Sequence, residues 1–589
     1  MKQSLVVVAV VATTVQSCSK TAEATKKPNV IIILTDDQGL GGLACQGNPY
    51  LKTPNIDNFY AESVRMTDFH VSPLSTPTRS AIITGRYPVR NGAWATFKGR
   101  DVIARNNKTI AEIFHDGGYL TAQFGKWHLG DNYPSRPTDC GFEYSLQHRS
   151  GGVGELSDYW GNTYFDDVYL ENNTPKQFEG YCTDVWFSET QKYIEKHKDD
   201  DKPFFIYLAT NAPHSPHYVD EKYSAPYEYL KDDGIIQEPG FYGQIANLDE
   251  NFGKLSKYLD ESGVGENTII IFMTDNGAPP HTNPFVKGFS GGKGSPLEGG
   301  HRVPFFMRWR KGGFDAGRDI SAMVAHVDIM PTLCSMCDVD MPKDNLQDGV
   351  DFSPILFSNE AKLDERSIFI HHRQDSKAPD DVVGSVIMRD NWRLISGNKL
   401  YNLESDRVQK ENIAEGNEKL IEQLLCENRS FIEKTKELDE YQNFLPSIAG
   451  TEHQKTTVLT IQHAIGEGKG LWESEQIAQG IQSKNNGYAV DFATEGKYRI
   501  SVARWPRECQ GTIWGVPEKN PKNWFKYEVI KPEMVKMSIG GHDYQQNISA
   551  DMKEVVFDLD MSEGKRYMSV DFVENGESYG AYYIYIEKI

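Results

Sequence analysis

The chain has 589 residues, 25% of them charged, and a formal net charge of −21. That length accommodates two or more domains, each with a sizeable core. The acidic balance argues against a nucleic-acid or anionic-membrane surface and against a broad basic groove along a sulfated polymer. An anionic substrate must therefore meet a local cationic pocket.

Residues 1–18 read as an export signal: Lys2, then an apolar run from Leu5 to Val15 too short to span a bilayer. Val15-Gln16-Ser17-Cys18 resembles a bacterial lipobox, with Gln16 atypical, so Cys18 is expected to carry a lipid anchor. The other reading is an ordinary small-residue cleavage site. The expected location is the periplasm or the outer membrane of a Gram-negative bacterium. Residues 19–27 form a polar tether.

Asn29-Val30-Ile31-Ile32-Ile33-Leu34 is a β-branched run, as expected of a strand buried on both faces of a parallel sheet. It ends in Asp36-Asp37. Carboxylates at a central strand's carboxyl end stand where open α/β sheets place their sites. Two adjacent acids repel unless a cation joins them, and hard oxygen ligands favour Ca²⁺ or Mg²⁺. The plain alternative is an Asx turn.

In Ser75-Thr76-Pro77-Thr78-Arg79-Ser80-Ala81-Ile82-Ile83-Thr84-Gly85 a small hydroxyl precedes a stiffening proline and a fixed positive charge. Residues 80–84 read as a helix start whose free N–H groups could face an anion. A nucleophile beside a permanent cation suits chemistry on an anionic ester. The plain alternative is a helix cap.

A second strand, at residues 120–124, leads to Lys126 and His128, which alternate and on extended backbone share one face. A cation and an imidazole there suit anion binding with proton transfer. A third buried strand, at 203–208, ends near His214. His217 either shares that site or lies in the loop, and the loop reading is preferred. Residues 240–259 show helical apolar spacing. A fourth strand, at 268–273, ends in Asp275-Asn276, able to complete the cation site. Lys293 follows in a glycine-rich loop. Cys334 and Cys337 form a C-x-x-C within an apolar helical stretch, so both read as core residues.

The motifs Thr-Asp-Asp, Ser-x-Pro-x-Arg-Ser-x-x-x-Thr-Gly, Gly-Lys-Trp-His-Leu-Gly, Ala-Pro-His, Thr-Asp-Asn-Gly and Gly-Gly-Lys leading to Glu-Gly-Gly-x-Arg-Val-Pro run in one order over residues 28–440. In this the chain resembles the type I sulfatases of the alkaline-phosphatase superfamily. The resemblance implies an α/β fold, an alkaline-phosphatase-like mixed sheet flanked by helices. It implies sulfate-ester hydrolysis on sulfated carbohydrates, terminal sugars of host or algal glycans being favoured. It implies one Ca²⁺ held by Asp36, Asp37, Asp275 and Asn276, with residue 75 beside them. It implies a sulfate pocket of Arg79, Lys126, His128, His214 and Lys293.

In that family residue 75 is oxidised to Cα-formylglycine (3-oxoalanine), whose hydrate attacks sulfur. His214 or Lys293 protonates the departing alcohol, and His128 takes the proton that lets sulfate leave. Most members carry cysteine at this position. A serine there implies an oxygen-independent radical maturase acting before export.

The catalytic α/β domain is expected at residues 28–360 and a small antiparallel subdomain at 361–445. Short strands around 368–373, 386–395 and 399–403 precede a helix at 417–438. His371, His372 and Arg373 are candidates to reach the sugar from that sheet. Residues 450–589 alternate like a β-sandwich whose exposed aromatics could bind glycan, although an accessory packing domain is the preferred reading. Two other functions stay open. One is a phosphoester or phosphonate hydrolase using unmodified Ser75, which would need a two-zinc site. The other is a non-catalytic, sulfated-glycan-binding lipoprotein.

Overall fold

The computed structural model describes residues 26–589 except 381, 467, 485–486 and 519–525. The export signal, the Cys18 lipobox and most of the tether lie outside the described residues. Among the described residues no helix is long and apolar enough to cross a membrane.

Ten strands form the central sheet: β1 (Asn29–Thr35), β2 (Val64–Met66), β3 (Leu120–Lys126), β4 (Tyr144–His148), β5 (Val168–Glu171), β6 (Thr174–Gln177), β7 (Phe204–Ala209), β8 (Thr268–Thr274), β9 (Phe305–Arg308) and β10 (Arg318–Ile320). Their order is β10-β2-β9-β8-β1-β7-β3-β4-β5-β6. The central strands β8, β1, β7, β3 and β4 run parallel, and antiparallel pairs flank them.

The β-branched run in β1 is explained by burial on both sides. Val30, Ile32 and Leu34 join one apolar core, whereas Ile31 and Ile33 join the other. Each such side chain contributes about 1.5–3 kcal/mol. The helix Pro239–Glu261 lays Leu248, Phe252, Leu255 and Leu259 onto the second core. Cys334 and Cys337 sit in the first core as free thiols, and burial pushes both up to about 12.

Gly125 in β3 has φ 89°, and a Cβ there would lie 2.1 Å from the Ala209 carbonyl oxygen. Gly125→Ala is therefore expected to cost about 2–4 kcal/mol of unfolding free energy, seen as a lower denaturant midpoint.

A four-stranded antiparallel meander follows (Ile368–His371, Ser385–Arg389, Trp392–Ile395 and Lys399–Asn402), backed by the helix Glu418–Lys436. The stretch expected as one run at 386–395 is a hairpin, turned at Asp390 with φ 47°.

Beyond residue 446 two further sheets share one core. The aromatics expected to be exposed there are mostly that core: Tyr498, Trp505, Tyr582, Tyr583 and Tyr585 are all buried. Tyr498 turns toward the facing sheet and meets Phe492, whereas Tyr583, on the other side of its sheet, donates to the Leu156 carbonyl, and Trp505 packs on Trp160.

Candidate active site

The parallel strands β8, β1, β7 and β3 are neighbours, so the loops after them leave the same edge of the sheet. Thr35 pairs with Thr274, so Asp36 and Asp275, the next residues, leave at one level. Asp37 is in the left-handed region, φ 62°, and its N–H donates to Asp275 Oδ1 at 3.1 Å. The carboxylates of Asp36, Asp37 and Asp275 are buried, with one oxygen from each within 4.8 Å of the others. Asn276 Nδ2 donates to Asp37 Oδ1 at 2.7 Å.

Ser75 opens the helix Ser75–Thr84, every residue of which is buried. The helix thus begins five residues before the expected start at Ser80. Pro77 does not break it, because a first-turn N–H has no intrahelical partner to lose. The earlier start puts Ser75 and Arg79 one turn apart on one face. Ser75 Oγ donates to Asp36 Oδ1 at 2.9 Å and lies 3.3 Å from Asn276 Oδ1. Lys126 Nζ lies 3.4 Å from the same hydroxyl.

Three cations face the three acids. Arg79 Nη2 meets Asp275 Oδ2 at 2.8 Å, Lys126 Nζ meets Asp36 Oδ2 at 2.5 Å, and Lys293 Nζ meets Asp37 Oδ2 at 2.6 Å. Burial pushes the Asp36 carboxyl up, but Lys126, His214 and Arg79 outweigh it and hold it down at about 2. For Asp37 burial is likewise outweighed, chiefly by Lys293. Asp275 differs: burial and the adjacent Asp36 carboxylate raise it despite Arg79. Four oxygen donors with one under-compensated acid fit a hard divalent metal, which would relieve that repulsion.

His128 and His214 line a cavity of about 260 Å³ above Ser75, together with Lys126 and Lys293. Lys126 and His128 both line this cavity, but not by strand alternation, because the strand ends at Lys126. The chain leaves extended geometry at His128, φ 58°. Burial, with Lys126 nearby, pushes His128 well down, so its ring is neutral. His128 Nε2 is 3.0 Å from the Thr96 carbonyl. It must donate there, which leaves Nδ1 an acceptor without a hydrogen-bond partner. His214 Nδ1 is 2.7 Å from the Ser215 carbonyl, and its Nε2 is 3.8 Å from Asp37 Oδ2.

The more distant candidates separate. His217 packs edge-on against Phe241 and lines a neighbouring cavity of about 830 Å³. His371 is buried, with Nε2 3.0 Å from Asn428 Oδ1 and its ring stacked on Phe431, so it serves the subdomain core. His372 stands near Gly294, beside the Lys293 loop. Arg373 pairs with Asp375 at 2.9 Å. The following residue, Gln374, is the one that lines the cavity.

Thr96, Phe97, Gly151, Glu155, Ser215, Gln462, Trp472 and Glu473 complete the lining. Local motifs do not mark these residues, because they arrive from segments far apart in the chain.

A family model described as Sulfatase matches residues 28–339. N-acetylgalactosamine-6-sulfatase of Canis lupus familiaris is 28% identical over 382 residues, covering 60% of this chain and 70% of that protein. The ulvan-active sulfatase of Formosa agariphila is 29% identical over 374 residues, covering 59% of this chain and 68% of that protein. The crystal structure of Ps i-CgsB with k-i-k-neocarrahexaose superposes with a TM-score of 0.64 at 26% identity, covering 71% of this chain and 95% of that one. With the mixed sheet and the family match over more than half of its residues, the chain belongs to the type I sulfatases of the alkaline-phosphatase superfamily and is a sulfuric ester hydrolase.

Proposed function

We propose that this protein removes sulfate from a sugar, using a formylglycine generated from Ser75 and one Ca²⁺ held by Asp36, Asp37, Asp275 and Asn276. The observation that carries the reading is the position of Ser75 Oγ, 2.9 Å from Asp36, 3.3 Å from Asn276 and 3.4 Å from Lys126. When bound, the cation supplies Lewis acidity and keeps an oxygen nucleophile at residue 75 ionised. The hydrated aldehyde supplies two oxygens, one to attack sulfur and one to let sulfate leave, where plain serine would be left as a stable ester.

The chain's own residues do the rest. Lys126 and Lys293, now paired with Asp36 and Asp37, are free to turn to sulfate oxygens once those acids are satisfied. Arg79 stays on Asp275 and holds the cage in register. His128, neutral and anchored through Nε2, offers Nδ1 as the base that accepts the proton of the second hydroxyl. His214 or Lys293 delivers a proton to the leaving oxygen.

The sugar assignment rests on relatives. One acts on N-acetylgalactosamine 6-sulfate and another on ulvan, by their names. A solved neighbour holds D-glucosamine-2-N,6-O-disulfate. Export, the Cys18 anchor and maturation by a radical enzyme belong to the same proposal.

A two-zinc phosphoester site would need histidine ligands at the cage. Among the described residues the histidine-containing group is His70, Glu298 and His301. It contributes nothing to the lining above Ser75, and Arg393 and Arg302 already neutralise Glu298.

The test is the mass of the tryptic peptide carrying residue 75, from protein made in its native host, together with turnover of sulfated sugars. The expected peptide is lighter than the serine form by two hydrogens and reacts with a hydrazine. An unmodified serine would overturn the mechanism. It would then favour a phosphoester hydrolase or, if sulfated glycan bound without turnover, a binding protein.

A further inference from the structure

The cavity above Ser75 is not closed by the catalytic sheet alone. Gln462, Trp472 and Glu473 come from the β-domain beyond residue 446, yet they line the same space as Ser75 and His128. Their positions are tied to the loop after β4. Gln462 Nε2 donates to Glu155 Oε2 at 3.1 Å, and its Oε1 accepts from Ser150 Oγ at 2.8 Å and Ser157 Oγ at 3.1 Å. The Trp472 carbonyl accepts from Leu156 N at 2.7 Å, and the Trp472 ring lies 5.7 Å from that of Phe97. Glu155 and Glu473 face each other as bridge partners. Leu156 and Trp160 are themselves part of the β-domain core, so loop and domain pack as one unit.

We infer that Trp472, Glu473 and Gln462 of the β-domain, with Phe97 and Glu155, form the wall that recognises the sugar carrying the sulfate. This inference rests on the sulfatase reading and departs from a packing role for the domain. Its chemistry is complementary to that of the floor. Cations near Ser75 take the anionic ester, while the opposite wall offers two carboxyl groups and two rings. Aromatic faces suit the C–H face of a pyranose, and carboxyl oxygens suit its hydroxyl donors. Trp472 is 39% exposed and lines the cavity, so its ring is accessible to a ligand there. A second sulfate or a uronate on the same ring would meet Glu155 and be repelled, whereas Glu473, pushed up to about 8 by burial and the adjacent Glu155, offers a protonated carboxyl that can donate to a hydroxyl oxygen. The preferred substrate is therefore a singly sulfated sugar whose other substituents are hydroxyls or other hydrogen-bond donors.

The test uses the full-length matured enzyme and its Trp472→Ala and Glu473→Gln variants, with thermal melting to confirm folding. The probes are 4-nitrophenyl sulfate, a panel of singly sulfated monosaccharides, and their disulfated or carboxylated counterparts. For the panel member that the parent enzyme turns over best, KM is expected to rise about tenfold in each variant. In Glu473→Gln, the fold-loss in kcat/KM on 4-nitrophenyl sulfate, which has no hydroxyl to lose, is expected to be smaller than the loss on the sugar. The parent enzyme is expected to turn over the disulfated or carboxylated counterparts less well than the singly sulfated sugar. Unchanged KM for the sugar in both variants, or equal losses on both probe types in Glu473→Gln, overturns the inference. A parent enzyme active on the aryl sulfate but on no sugar also overturns it. A parent enzyme inert on every probe instead overturns the sulfatase reading, and this inference falls with it.

Discussion

Ser75→Ala is expected to abolish sulfate release, by roughly 10⁴-fold or more in kcat, because it removes the atom that attacks sulfur. The fold should survive. Asp36 keeps its 2.5 Å contact with Lys126 when the hydroxyl is lost, and Arg79 stays on Asp275 at 2.8 Å. No buried charge is left alone, and alanine is the better helix former in Ser75–Thr84. The lost hydrogen bond costs about 1 kcal/mol at most. Ion-chromatographic sulfate release measured beside circular dichroism separates the two effects. Residual activity within about tenfold of the parent would show that chemistry does not pass through residue 75.

Asp37→Asn should be the next most damaging change, and for two reasons at once. It removes one of the three carboxylates whose oxygens come within 4.8 Å of one another, and it removes the 2.6 Å partner of Lys293. A cation that fits three acids with an amide oxygen is held less tightly by two, and Lys293 loses its ion-pair partner in the metal-free protein. Activity is expected to fall roughly 10²–10³-fold, the range seen when one electrostatic contributor to a transition state is removed. Elemental analysis of the parent protein should find one calcium per chain, and the variant should hold much less. A strong chelator should inactivate the parent, with recovery on adding Ca²⁺. Two zinc ions per chain, or activity indifferent to chelation, would count against the oxygen cage as the metal site.

Much of this was legible in the primary structure because the site is built from strand ends. A buried parallel strand declares itself as a β-branched run, and the polar residues that close it must lie at the sheet edge. Asp36, Asp37, Asp275 and Asn276 were readable that way, and so was the place of Lys126 at its strand end. The reading failed where a residue's neighbours are distant. His371 looks like part of a polar cluster in sequence, yet the strand turns it inward against Asn428 and Phe431. Tyr498, Trp505 and Tyr583 look available, yet Phe492 of the facing sheet covers the first and Trp160 and Leu156 of the loop after β4 cover the others.

By itself the sequence determined the central buried strands, the order of the motifs and which polar residues gather at the strand ends: Asp36, Asp37, Ser75, Arg79, Lys126, Asp275 and Asn276. Their placement follows from short-range pattern, namely periodicity, turn residues and charges a few positions apart, whereas their roles are what the resemblance to the sulfatases implies. Only the tertiary structure decided that Ser75 begins its helix and so shares a face with Arg79. Only it decided that Asp275 is the acid left short of compensation, and that Gln462, Trp472 and Glu473 close the cavity from another domain. Those outcomes depend on which surfaces pack together over hundreds of residues. Packing of that kind is set by the summed burial of many side chains, and no local stretch records it.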